Sequence, residues 1–303
     1  HRDLHSFPTR RSSDLVRLPH GEAFQRVRQL VRKGSLHTVC EEARCPNMAE
    51  CWGCGTATFL ILGGVCTRNC GFCAVAAGAP APVRPEEPAE VAKAVAAMEL
   101  RHAVITSVTR DDLEDGGASV FAAVIREIRQ RVPGCTVEVL VPDFLGSKRA
   151  LETVIAARPE ILGHNLETVP RLYPAARPQA DYRRSLQVLR TTKEADPGIL
   201  TKSGIMVGLG EDLEEIHRVM EDLRALDCDI LTLGQYLCPS SDHLAVQRYY
   251  TPDEFEALGQ TARSMGFPWV ESAPLVRSSY HAAEQARALS RSGAPPTERR
   301  KPG

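Results

Sequence analysis

The chain of 303 residues carries ten cysteines, and seven of them fall between Cys40 and Cys73. Two triplets stand out, Cys40-x4-Cys45-x5-Cys51 and Cys66-x3-Cys70-x2-Cys73, with Cys54 as an extra thiol. Disulfides need an oxidising compartment and usually a short secreted chain, and neither is indicated. Zinc favours paired Cys-x2-4-Cys modules with four protein ligands, whereas the second triplet has no fourth Cys or His inside its loop. Inert buried thiols are common singly, which suits Cys135 and Cys228 but not so dense a group. Soft thiolates also hold iron–sulfur clusters. Three cysteines on a cubane of four irons leave one iron open, and an open iron can bind a substrate or cofactor. The x3-then-x2 spacing departs from the ferredoxin run, in which cysteine ligates every iron for plain electron transfer.

Such a loop needs a scaffold, and the remaining chain supplies an alternating pattern. Strands are predicted at Thr58–Leu62, Ala103–Val108, Thr136–Val141, Ile161–Asn165, Thr201–Val207, Ile230–Tyr236 and Trp269–Glu271. Helical periods lie between them at Pro88–Met98, Ser119–Arg131, Lys148–Ala157, Tyr182–Glu194, Leu213–Leu226 and Pro252–Met265. Thr251-Pro252-Asp253-Glu254 combines an N-cap, an N1 proline and acidic residues that suit the helix dipole. Alternation of this kind implies parallel strands joined by right-handed crossovers. The expected fold is α/β, a partial (β/α)6 TIM-type barrel with N- and C-terminal extensions and functional residues at the strand C-termini. A doubly wound open sheet is the competing architecture, but Gly208-Leu-Gly210 lacks the third glycine of a dinucleotide fingerprint.

The ends read differently. Residues 1–15 (HRDLHSFPTRRSSDL) show no period and resemble the in-frame translation of a sequencing adapter, so they are set aside. Residues 16–57 are assigned to an amphipathic helix, over Val16–Leu36, and the first cysteine triplet; 58–272 to the barrel; 273–289 to a C-terminal segment; and 290–303 to a disordered tail. A formal net charge of −1 argues against a nucleic-acid footprint. No apolar run approaches the roughly 20 residues that span a bilayer. A bacterial cytoplasm is expected, with a transit peptide left open because the natural start is missing.

Cys66-Thr-Arg-Asn-Cys70-Gly-Phe-Cys73 resembles the signature of radical S-adenosylmethionine proteins, down to the aromatic before the last cysteine. Cys40-Glu-Glu-Ala-Arg-Cys45-Pro-Asn-Met-Ala-Glu-Cys51 is similar to the auxiliary-cluster motif of lipoyl synthases. The same family resemblance runs through Ile105–Leu113, Val141–Phe144, His164–Tyr173, Lys202–Glu211, Gly234–Leu237 and Arg277-Ser-Ser-Tyr280. It implies two 4Fe–4S clusters and S-adenosylmethionine as cofactors. Cys66, Cys70 and Cys73 would ligate the cofactor-binding cluster, and Cys40, Cys45, Cys51 and Ser279 the sulfur-donating one. Sulfur would then be inserted at C6 and C8 of an octanoyl chain on a carrier lysine. The implied partners are an octanoylated lipoyl carrier domain or glycine-cleavage H protein, a low-potential electron donor and a cluster-repair carrier, with no nucleic acid and no membrane.

By the same resemblance Phe72 would lie beside the adenine; His164, Asn165 and Glu167, at the end of a predicted strand facing the barrel mouth, are candidates to contact the ribose or amino-acid moiety, with strand-end hydrogen bonding as the alternative. Arg110 and Arg177 are candidates for carboxylate recognition, with surface ion pairing as the equal alternative. Asp111-Asp112-Leu-Glu114-Asp115-Gly-Gly117 reads as a solvated loop with contacts to cofactor or substrate rather than a carboxylate dyad. Cys54 is read as a harmless loop thiol over a ligand swap or a redox pair with Cys51, and Cys238, Ala245 and Ala273 also depart from the family pattern, the two alanines without touching an expected ligand. The competing functions are another sulfur-inserting radical enzyme of the methylthiotransferase kind and a non-enzymatic two-cluster electron carrier.

Overall fold

A computed structural model describes residues 37–39, 45, 47–53 and 57–291. The adapter-like segment, the helix expected over 16–36, Cys40, Cys54 and positions 292–303 of the expected tail therefore lie outside the described residues. Each of the seven predicted strands is present: β2 (Thr58–Ile61), β5 (His102–Ser107), β6 (Thr136–Leu140), β7 (Ile161–Gly163), β8 (Leu200–Val207), β9 (Ile230–Gln235) and β10 (Trp269–Ser272). They pair in parallel in that order. Among the described residues β2 and β10 do not pair with each other, so the barrel is open. Short β1 (His37–Thr38), which the sequence did not signal, adds antiparallel to the outer edge of β2. β2, β5 and β9 are buried along nearly their whole length, as expected for parallel strands covered on both faces.

The crossover helices are α2 (Glu87–Ala97), α3 (Ala118–Arg131), α4 (Lys148–Ala156), α6 (Tyr182–Ala195), α7 (Leu213–Arg224) and α8 (Pro252–Ser264), while α1 (Met48–Gly53) precedes the barrel and α5 (Tyr173–Ala176) precedes α6. Their starts follow local chemistry. Ser147 accepts from Ala150 N and Asp181 from Arg184 N, and Asp212/Glu215 and Thr251/Glu254 form capping boxes. No helix among the described residues is long and apolar enough to cross a membrane.

The C-terminal helix α9 (Ala282–Arg291) was not anticipated, and it takes in Ser290 and Arg291 from the expected tail. Its stripe of Ala282, Ala286 and Leu289 is weak because two of the three residues are small. Ala286 and Leu289 pack with Ile161, Leu200, Ile230 and Trp269, the first residues of β7, β8, β9 and β10. The helix thus closes the N-terminal end of the barrel and leaves the C-terminal end for chemistry. The buried Lys202 Nζ–Glu138 pair (2.8 Å), with His102 at 3.4 Å from Glu138, joins β5, β6 and β8.

Candidate functional site

The Cys66–Cys73 loop leaves β3 (Val65–Cys66) and returns through β4 (Ala76–Ala77), and these two short strands pair with each other at its base. Amide N–H groups of Arg68 and Thr109 point at Cys66 Sγ (3.4 and 3.3 Å). Gly71 N donates to Ala176 O (2.9 Å) and Gly71 O accepts from Leu244 N (2.8 Å). A Cβ at Gly71 would stand 3.0 Å from both Ala175 O and Leu244 Cγ, so glycine permits this clamp. His243 Nε2 lies 2.9 Å from Cys73 O.

Arg68, inside the loop, is buried and forms the strongest anchor. Its guanidinium donates to both oxygens of Asp111 (2.7 and 2.9 Å) and to Asp143 Oδ1 (2.6 Å), while Arg184 Nε donates to Asp143 Oδ2 (2.7 Å). Burial alone would raise the Asp143 pKa, but hydrogen bonds and charge from Arg68, helped by Arg184, hold its carboxyl well below the usual range. The sequence reading passed over Arg68 and Asp143, although both fall within quoted motifs. Their partnership spans 75 positions, which no local pattern reveals.

Cys66, Cys70 and Cys73 open into a cavity of about 310 Å³ at the C-terminal ends of the strands. The predicted Phe72, His164, Asn165, Glu167 and Arg177 line the same cavity. His164 Nδ1–H donates to Val141 O (2.8 Å), which leaves Nε2 as a buried acceptor with no partner. Burial, reinforced by the charge of Arg177, lowers its pKa to about 4, so the ring is neutral near pH 7. Asn165 Nδ2 donates to Glu167 Oε1 (3.1 Å), leaving Asn165 Oδ1 unpaired. Burial raises the Glu167 pKa, opposed by Arg177 and Asn165. Arg177 Nη1 donates to Asn165 O (2.9 Å), and its buried Nε has no partner. Ser107 Oγ, which the sequence did not single out, is a further unpaired group on the cavity wall. Unsatisfied donors and acceptors in one buried place mark a site made for a polar ligand. Acceptors at His164 and Asn165, with donors at Arg177 and Ser107, fit a molecule carrying hydroxyls, an amine and a carboxylate.

The thiols fit a cluster better than a single ion. Cys66, Cys70 and Cys73 put three soft thiols on one cavity wall, a donor set that suits iron–sulfur ligation. Burial raises the Cys73 pKa and pushes Cys70 up to about 11, so a bound metal is needed to hold them as thiolates.

Arg110 is corrected. Its guanidinium is committed to Asp112 (2.8 Å) and Leu62 O (3.3 Å) and does not line the cavity. The acidic loop after it is structural too, because Asp111 holds Arg68 and Asp115 accepts from Gly117 N and Ser119 N at the start of α3. Arg110, Asp111, Asp112 and Asp115 all lie off the cavity wall. As expected, Cys135 and Cys228 are buried in the core.

Two cysteines of the first triplet are described. Cys51 lies on α1, and Cys45 precedes it; burial raises the Cys45 pKa, opposed by the backbone of Asn47 and the charge of Arg277. Asn47 Nδ2 donates to Leu275 O (2.6 Å), tying this region to the segment that carries Ser279. That segment presses onto β9, where a Cβ at Gly234 would meet Val276 O at 2.2 Å. Ser278 and Arg277 reach the shared cavity. Ser279 is the next residue along this segment.

An open parallel barrel with a Cys-x3-Cys-x2-Cys loop at the C-terminal end of its strands defines a radical S-adenosylmethionine protein, and residues 60–223 match the Radical SAM superfamily model. The chain is 64% identical over 270 residues to a lipoyl synthase of Rubrobacter xylanophilus, covering 89% of this chain and 84% of the relative. It is 56% identical over 277 residues to one of Methylococcus capsulatus, covering 91% and 86%. The chain belongs to the lipoyl synthase family. At the level of fold alone it resembles Streptococcus suis SuiB bound to S-adenosylmethionine, with a TM-score of 0.56, 12% identity, and coverage of 76% of this chain and 54% of that one.

Proposed function

We propose that this chain is a lipoyl synthase that inserts sulfur at C6 and C8 of an octanoyl chain amide-linked to a lysine of a carrier protein. The observation that supports the reading is the Cys66–Cys73 loop opening into the cavity at the C-terminal end of the strands, with Asn47, between Cys45 and Cys51, bonded to Leu275 a few residues before Ser279. In this reading Cys66, Cys70 and Cys73 hold the cluster with the open iron, and Cys40, Cys45, Cys51 and Ser279 hold the sulfur-donating cluster. When bound, the first cluster and S-adenosylmethionine supply a 5′-deoxyadenosyl radical, and the second supplies the sulfur.

The chain's own side chains bind and orient. Asn165 Oδ1 and His164 Nε2 would accept from the cofactor, and Arg177 Nε would donate to its carboxylate. Phe72, on the cavity wall, would flank the adenine. The cavity wall of Leu60, Val108, Leu140 and Met206 receives the acyl chain. Hydrogen abstraction from an unactivated carbon needs no side-chain acid or base, which accounts for the lack of a dyad in the acidic loop. A low-potential electron donor, a cluster-repair carrier and a bacterial cytoplasm complete the proposal.

The test is anaerobic reconstitution of wild type and Ser279→Ala. The variant is expected to release 5′-deoxyadenosine from S-adenosylmethionine but to lose most lipoyl product. An unchanged product yield would contradict the serine assignment, because oxygen is a harder, weaker partner than thiolate yet is required here to complete the set.

A further inference from the structure

The turn after β6 is strained in an unusual way. Phe144 and Leu145 both have positive φ (46° and 51°), followed by Gly146 at 82°. Left-handed backbone at two successive non-glycine residues costs about 1–3 kcal/mol each and persists only where surroundings impose it. Here Asp143 imposes it, accepting from Leu145 N (3.1 Å) through Oδ1 and from Gly146 N (2.8 Å) through its carbonyl, while Arg68 and Arg184 grip its carboxylate. The result of that strain is to hold Leu145 out into solvent, 56% exposed.

Among the described residues the exposed large apolar side chains are Leu145, Leu213 and Leu237. Each follows the C-terminal end of a strand, after β6, β8 and β9 respectively, so all three share the barrel face that holds the cavity. Pro142 and Asp143, at the base of the Leu145 turn, line that cavity. Beside the turn lie the first turns of α4 and α6. Arg184 packs its side chain 3.3 Å from the position of a Gly146 Cβ. Lys148 pairs with Glu152 and Arg184 with Asp143, and Asp181 caps α6, but exposed Arg149 and Arg183 have no carboxylate partner among the described residues.

We infer that the Leu145 turn, with Arg149 and Arg183, is a docking point for the folded carrier domain, which would present an acidic patch beside its octanoyl-lysine. The inference rests on the lipoyl synthase reading, since a lysine-borne chain entering the cavity brings its domain against this rim. Leu145 supplies an apolar contact, and the two arginines supply steering and specificity by charge.

The test compares two substrates on the reconstituted enzyme, an octanoylated carrier domain and a short octanoyl-lysine peptide. Leu145→Glu combined with Arg149→Glu and Arg183→Glu is expected to raise KM for the domain, read as the concentration that gives the half-maximal single-turnover rate, about tenfold with the limiting rate unchanged, a rim effect of ordinary size. KM for the peptide should stay within about twofold. In the wild type, raising salt should raise KM for the domain alone. Leu145→Gly separates docking from folding: it should raise the melting temperature by relieving the left-handed strain, yet still weaken the domain's KM. Equal changes for both substrates, or no change for the domain, would overturn the docking proposal while wild-type turnover leaves the lipoyl synthase reading intact. A wild type that converts neither substrate overturns that reading and this proposal together.

Discussion

Asp143→Ala removes the carboxylate that ties the Cys66–Cys73 loop to the barrel. Asp143 is 1% exposed and accepts from Arg68 at 2.6 Å and Arg184 at 2.7 Å. Deleting one partner of a buried ion pair typically costs 3–5 kcal/mol, because the other charge is left uncompensated. Arg68 keeps both bonds to Asp111 and Arg184 is 27% exposed and able to hydrate, which places the cost at the lower end, about 3 kcal/mol. For a chain of this size that corresponds to a fall of roughly 5 °C in melting temperature. The folded-state pKa of Asp143 lies below its unfolded value, so its contribution is present above about pH 4 and is lost as pH falls through the lower folded value. Wild type and variant should therefore differ fully at pH 7 and converge in strong acid. Urea melts and scanning calorimetry of the metal-free chain across pH measure this directly. A loss under about 1 kcal/mol at pH 7, or a difference that persists undiminished in acid, would refute the reasoning.

Other outcomes follow from the same geometry. His164, held near 4 by burial, resists protonation that its unfolded form accepts, so the metal-free chain should lose about 3 kcal/mol as pH falls from about 6.5 to 4. His164→Gln should flatten that slope in pH-dependent melts and weaken S-adenosylmethionine binding in calorimetry. Gly234→Ala should push the segment bearing Ser279 away from β9, where Val276 O would stand 2.2 Å from the new carbon. Iron analysis should then show about half the wild-type content, with cofactor cleavage retained. Gly71→Ala, crowding Ala175 O and Leu244 at 3.0 Å, should instead lower occupancy of the cofactor-binding cluster, read by electron paramagnetic resonance of the reduced protein.

The barrel was legible because its signals are local. Buried parallel strands such as His102–Ser107 announce themselves by a short apolar centre, Ala103 to Ile105, and helix starts such as Thr251–Glu254 by capping. Elements without such signals were missed. β1 has two residues, and α9 offers only a small-residue stripe although it closes the barrel floor. The site divides in the same way. Cysteine spacing and the His164–Glu167 motif led to the cavity, but Arg110 and Arg68 look alike in the sequence and behave oppositely. Arg110 spends its charge on Asp112, two positions away, while Arg68 reaches Asp143 across two strands. Long-range ion pairing is decided by the assembled barrel, not by neighbouring residues.

The central claim is that one chain assembles two clusters with separate tasks. Anaerobic reconstitution, followed by iron and sulfide analysis and turnover with an octanoylated carrier domain, tests it most directly. The account predicts about eight irons per chain, four for each cubane, release of 5′-deoxyadenosine on reduction, and lipoyl product whose sulfur comes from the protein. About four irons per chain, or zinc with no cleavage of S-adenosylmethionine, would contradict it.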